Sequence, residues 1–170
     1  MTTQAGTRGF LFVLASHRPG SRTERLARKF AEDLPPAAAQ RWLRLADHAL
    51  PDFVDGRGRE EGTGTVTSEN ESLLLGATLE ASDLVIVSPL YWYSVSASAK
   101  LYLDYWGRWL DLDGVDFRAR MSGKRLWSVC TLTEGRDPDD TRPMIDMLSK
   151  SAAYLGMDWC GALVGDQHIY

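Results

Sequence analysis

Residues 9–23 read GFLFVLA and then SHRPGSRT, and the join between these two pieces decides the fold. Gly9 to Ala15 is a short unbroken apolar run, the pattern of a strand buried on both faces. A polar turn follows from Ser16 to Gly20. A helix is expected from about Ser21 to Asp33, stopped by Pro35 and Pro36. A buried strand passing through a polar turn into a helix is the opening unit of a parallel sheet wrapped by helices.

The same unit recurs along the chain, although the sequence has no internal repeat. Further strands are expected over Gln40 to Ala46, Leu84 to Ser88 (LVIVS), Arg125 to Leu132 (RLWSVCTL) and Met157 to Val164. Helices are expected over Asn70 to Ala81, Ser94 to Leu110 and Asp140 to Leu155. Five strands with four intervening helices predict an α/β fold, a doubly wound parallel sheet whose right-handed crossovers cover both faces. With 170 residues and no visible boundary, 1–170 reads as a single domain. The segment Asp55 to Glu71 (DGRGREEGTGTVTSENE) is a long charged loop with four glycines. It is either a lid over a ligand site or slack, and the small closure cost of surface insertions favours slack.

Composition narrows the function. A hydrophobic fraction of 44% and a charged fraction of 25% are those of an ordinary soluble domain. A net charge of -4 argues against nucleic acid as a partner. Cys130 and Cys160 form no CxxC pair and have no metal-ligand spacing, and Cys130, inside an apolar run, reads as a buried inert thiol. The polar start MTTQAGTRG lacks a secretory apolar region, and no apolar stretch reaches the roughly 20 residues that cross a bilayer. A cytoplasmic protein with no membrane partner is expected. The histidines His17, His48 and His168 are scattered, no Ser-His-Asp or metal cluster is visible, and His17 reads as an ordinary loop residue.

Ligands of open α/β sheets bind outside the carboxyl ends of the strands, where the strand order reverses. Three loops leave such ends here. The first holds Ser16, Arg18, Gly20, Ser21, Arg22 and Thr23, and opens a helix whose unpaired N–H groups attract phosphate. Residues 18–29 carry Arg18, Arg22, Arg25, Arg28 and Lys29 against Glu24 alone, a local +4. N-capping by Ser21 accounts for part of this without any ligand, and neither GxxxxGK[ST] nor GxGxxG is present. The second loop holds Pro89, Leu90, Tyr91, Trp92, Tyr93 and Ser94. Its three consecutive aromatics suit a flat aromatic ligand, or else plug the sheet edge. The third holds Thr131, Leu132, Thr133, Glu134 and Gly135, small residues that let a ligand approach the backbone.

On these residues the chain resembles the flavodoxin-like NAD(P)H-dependent FMN reductases and quinone reductases. Their phosphate loop S-x-R-x-G-S-x-T is matched at Ser16, Arg18, Gly20, Ser21 and Thr23. Their second signature is matched at Asp83, LVIVS, Pro89, Tyr91, Ser94, Lys100 and Asp104, and a G-K pair at Gly123 and Lys124. The resemblance runs from about Gly9 to Leu155. It implies a flavodoxin-like strand order 2-1-3-4-5 and FMN as cofactor, with its phosphate in the first loop and its ring against the second and third. It also implies NAD(P)H as reductant and a small aromatic acceptor such as a quinone or flavin. Two positions depart from the pattern. Tyr93 stands where glycine is common, narrowing the space over the flavin, and Asp104 is followed by Tyr105, with arginine only at Arg108.

Two other functions share this architecture. An electron-carrier flavodoxin shows a strongly acidic face, whereas these loops bring Arg18, Arg22 and Arg136. A phospho-receiver domain needs clustered acids after the first strand, and Ala15-Ser16-His17 offers none. The resemblance also implies a homodimer or a dimer of dimers. On the helix from Ser94, Tyr102, Trp106 and Trp109 form one stripe, with Leu101, Tyr105 and Leu112 beside it to face the sheet. The first stripe is then expected to be exposed and to contact a second copy, unless all these aromatics sit in one wide core face.

Overall fold

A computed structural model describes residues 8–54, 65–165 and 167–169. The segment Asp55–Glu71 therefore lies outside the described residues over 55–64. Strands β1 (Gly9–Leu14), β2 (Ala39–Arg44), β3 (Asp83–Val87), β4 (Arg125–Cys130) and β5 (Asp158–Val164) run parallel in the order 2-1-3-4-5. The expected sheet is present, with one addition: β6 (Gln167–Ile169) pairs antiparallel to the β5 edge. The pair Gly165-Asp166 between β5 and β6 is a two-residue hairpin signal that the sequence reading passed over, because the strand after it is only three residues long.

The strands alternate between two layers. Phe10, Phe12, Leu14, Val85, Val87 and Val129 pack under α1 (Arg22–Glu32), which contributes Leu26, Ala27 and Ala31. Leu11, Val13, Leu84 and Ile86 face the opposite layer of α2 (Glu69–Glu80), α3 (Ala97–Leu110), α4 (Phe117–Met121) and α5 (Arg142–Tyr154). Both α1 and α2 begin in the pattern Ser-x-x-Glu. Ser21 and Ser68 cap the third N–H beyond them, at 3.2 and 3.1 Å. Each glutamate reaches the N–H before its serine: Glu24 that of Gly20 at 2.9 Å, and Glu71 that of Thr67 at 2.7 Å.

The aromatic stripe on α3 corrects the sequence reading. Tyr102, Trp106 and Trp109 are buried, as are Tyr105 and Leu112, so both stripes lie in the core. The partners are in the same chain. The Tyr102 hydroxyl lies 2.6 Å from that of Thr78 on α2. The Trp109 indole donates to Glu71 at 3.1 Å, and both tryptophans pack against Phe117 of α4. Helix α4 is five residues long and has no periodicity to read, so the wall it adds was invisible in the sequence.

The signature residues away from the loops stabilise the fold. Gly123 and Lys124 sit at the amino edge of the sheet, where the Lys124 ammonium donates to the carbonyls of Leu79 and Ala81 at the end of α2. Lys100 and Asp104 form an exposed pair one helical turn apart. Cys130 is fully buried, and burial pushes its thiol up to about 12. Native protein at pH 8 is therefore expected to release at most one equivalent of thiol to a chromogenic disulfide reagent, from half-buried Cys160, and two after denaturation. Two fast equivalents from the native state would show that the apolar run leaves Cys130 accessible.

Candidate functional site

The strand order reverses at β1, with β2 on one side and β3 on the other, and the three loops leave β1, β3 and β4 side by side. Their side chains tie them together at the carboxyl edge. The hydroxyls of Thr23 and Thr131 lie 2.6 Å apart, joining the first loop to the third. Ser96, the cap of α3, donates to the Ala15 carbonyl at 2.9 Å, and Ser98 donates to it at 3.1 Å, joining the second loop to the first. The Arg136 guanidinium lies over the Tyr93 ring, 5.7 Å from its centroid, joining the third to the second.

Within the first loop Ser16 and Thr23 are buried, Ser21 is half-buried, and Arg18, Gly20 and Arg22 are exposed. Ser16 Oγ accepts the Arg18 N–H at 3.4 Å. The N–H groups of Arg22 and Thr23, in the first turn of α1, have no helical acceptor. In the second loop Ser88 Oγ donates to the Pro89 carbonyl at 2.9 Å and accepts the Ser96 N–H at 2.8 Å, fixing where α3 starts. Ser94 consequently closes a turn with Tyr91, and the helix begins three residues later than its first hydroxyl suggests. Pro89, Leu90 and Ser94 are half-buried, while Tyr91, Trp92 and Tyr93 face solvent, so these aromatics do not plug the sheet edge. In the third loop Thr131 and Leu132 are half-buried, and Thr133, Glu134 and Gly135 are exposed.

The model of the NADPH-dependent FMN reductase family matches residues 10–153, a span that contains all three loops. The chain belongs to that family. This reductase is 24% identical over 152 residues to YwqN of Bacillus subtilis, described as an NAD(P)H-dependent FMN-containing oxidoreductase, covering 88% of this chain and 80% of that one. Several solved structures share its fold. The Trp repressor binding protein of Bacillus subtilis aligns with a TM-score of 0.69 at 19% identity, covering 94% of this chain and 85% of that one. An FMN-dependent NADH-azoreductase of Bacillus anthracis, solved with FMN, aligns at 0.62 and 16% identity, covering 92% and 85%. The reductase is thus an NAD(P)H-dependent FMN oxidoreductase, with FMN and NAD(P)H as its cofactors.

The donor set of the first loop is of the kind an anion needs, with the Arg22 and Thr23 N–H groups free of helical acceptors and the Arg18 and Arg22 side chains exposed. Gly20 and Gly135 have φ of +65° and +80°, and a Cβ on either would meet no heavy atom within 4 Å. Both glycines therefore face open space that a ligand can enter, in a backbone conformation that favours glycine. Two residues of this reductase escaped the sequence reading. Glu24, counted as the lone acid of a basic segment, is part of the loop's scaffold. Burial opposes its charge, but hydrogen bonds from Arg44, the Gly20 N–H and Arg28 outweigh that and hold its carboxyl below the ordinary range. Arg44, at the end of β2, pairs with Glu24 at 2.8 Å and donates to the Ser16 carbonyl at 3.2 Å. The Ser-x-x-Glu spacing was a signal for Glu24. Arg44 had none, because its place beside Leu14 comes from the sheet register.

Proposed function

We propose that this reductase uses NAD(P)H to reduce a quinone, flavin or similar aromatic acceptor at a site built by the three loops, within one FMN-binding domain spanning the chain. In this reading Ser16, Arg18, Gly20, Ser21, Arg22 and Thr23 hold the FMN phosphate. Pro89, Leu90, Tyr91, Trp92, Tyr93 and Ser94 flank the flavin ring with Thr131, Leu132, Thr133, Glu134 and Gly135. The observation that carries it is the joining of all three loops at one sheet edge through the Thr23–Thr131 contact and the Ser96 and Ser98 bonds to Ala15. When bound, the flavin supplies the hydride and electron chemistry. The protein's part is to neutralise the phosphate at the start of α1, to fix the second loop through Ser88 and Ser96, and to leave exposed aromatic surface for an acceptor.

Steady-state NADPH oxidation with and without menadione tests the reading. Consumption that rises severalfold when the quinone is added is expected. Flavin-loaded protein that consumes no NADPH would favour the carrier alternative, against which stand Arg18, Arg22 and Arg136 around the loops. The reading keeps the protein in the cytoplasm; no described helix is long and apolar enough to cross a membrane. It also keeps a homodimer or dimer of dimers, with the contact moved from the buried stripe to the groove between α3 and α5. That groove, about 600 Å³, is lined by Leu103, Leu110, Met147 and exposed Tyr154, among others. Light scattering that returns 18.9 kDa at micromolar concentration would end the dimer.

A further inference from the structure

The turn between Pro89 and α3 places two neighbouring bulky residues in left-handed backbone. Trp92 has φ 49° and Tyr93 φ 63°, and Asp116 is the only other described residue besides glycine with positive φ. Tyr91 and Ser94 close the turn with a reciprocal pair of backbone hydrogen bonds, Tyr91 N–H to Ser94 at 2.9 Å and Ser94 N–H to Tyr91 at 3.0 Å. A two-residue turn with positive φ at both central positions is served by Asn-Gly or Gly-Gly. Large aromatic residues there are strained, and such strain persists only where something else holds it in place.

Burial does not explain it. Trp92 is 93% exposed and Tyr93 43%, so neither ring gains the core contact that offsets strain elsewhere. What holds Tyr93 is Arg136, whose guanidinium lies over its ring from the third loop. The apex therefore projects one almost fully solvated indole beside the point where the second and third loops meet. A flat apolar face in that position suits a planar fused-ring molecule, which stacks on indole and removes its surface from water.

We propose that the strained turn is kept because Trp92, steadied by the Tyr93–Arg136 contact, is the stacking surface for the aromatic acceptor. This rests on the flavin-site reading above and adds the residue that sets acceptor preference. Stability is given up at the turn in return for recognition of a planar substrate. The residues that close the turn, Tyr91 and Ser94, act through the backbone and are not part of the platform.

The test uses the flavin-loaded enzyme with Trp92→Gly and Trp92→Phe, menadione as the planar acceptor and ferricyanide as a non-aromatic one. Trp92→Gly relieves left-handed strain and is expected to raise the melting temperature by about 3 °C. It is also expected to lower kcat/KM for menadione about tenfold relative to kcat/KM for ferricyanide. Trp92→Phe keeps a ring at the apex and is expected to restore that ratio to within about threefold of wild type without the gain in melting temperature. An unchanged acceptor ratio in Trp92→Gly overturns the proposal, and so does a fall in its melting temperature. A change of mass in light scattering on Trp92→Gly also overturns it, by assigning the indole to a subunit contact. If the underlying flavin-site reading is at fault, the difference shows in Ser21→Asp, which then keeps its FMN at full occupancy.

Discussion

Exchanging Ser21 for aspartate is expected to leave the protein folded and to strip it of its yellow colour. Ser21 caps α1, its Oγ accepting the Glu24 N–H at 3.2 Å. Aspartate caps as well as serine does, and a carboxylate at a helix amino end is favoured by the dipole. The fold therefore keeps its cap. The site does not keep its ligand, because the new carboxylate occupies the point where a phosphate would accept the free N–H groups of the first turn. Two like charges about 4 Å apart cost about 4 kcal/mol at an effective dielectric near 20, which is about a thousandfold in Kd. The ratio of flavin to protein absorbance in the purified variant is expected to fall below about a tenth of wild type, with the melting temperature of the apoprotein nearly unchanged. Ser21→Glu should empty the site in the same way, and Ser21→Ala should lose the cap, about 1 kcal/mol of stability, together with one hydroxyl contact to the phosphate, and so bind flavin more weakly without losing it outright. Aspartate-substituted protein that stays yellow at full occupancy would remove the phosphate from this loop.

The loop that this substitution probes was legible because its evidence is contiguous. An apolar run, a hydroxyl-rich turn and a capped helix lie within 15 residues, and each follows from local chemistry alone. The same held for α2 and for the buried strands β3 and β4. What stayed hidden depended on distant parts of the chain. Whether Tyr102, Trp106 and Trp109 are covered is decided by Thr78, Glu71 and Phe117, and nothing in the spacing of α3 announces them. The apolar stripe was read correctly as a stripe and wrongly as a surface. Arg44 was missed for a similar reason, since its partner Glu24 is 20 residues away. The aromatic run 91–93 was recognisable as unusual, but the left-handed turn that lifts Trp92 into solvent is a property of the backbone.

At the opposite edge of the sheet, replacing Asp83 with asparagine is expected to lower the melting temperature by about 10 °C while leaving flavin occupancy intact. Asp83 opens β3 and is completely buried, so its charge survives only through its donors. Arg125 donates twice, at 2.7 and 3.0 Å, Arg8 at 2.5 and 3.3 Å, Ser82 at 2.7 Å and the Trp127 indole at 3.0 Å. Burial alone would raise the carboxyl's pKa, but these bonds, led by those from Arg125 and Arg8, hold it far below the ordinary range. Asparagine fills the same space, yet it leaves two guanidiniums facing each other with no anion between them. Breaking a buried pair in this way costs about 3–5 kcal/mol, and each kcal/mol is about 2–4 °C in a chain of this size. The pH dependence has a definite sign. A carboxyl whose folded pKa is depressed contributes stability that is fully present above its unfolded value, about 4, and is lost as pH falls through the folded one. Wild-type melting temperature should therefore drop below about pH 4, while Asp83→Asn lacks this contribution and falls less, so the two curves converge. Five residues of β3, at about 3.3 Å each, separate this cluster from the loops, which is why the flavin should stay. A gap between the two curves that stays constant down to pH 3 would mean that the charge of Asp83 is not what holds Arg8 and Arg125 in place.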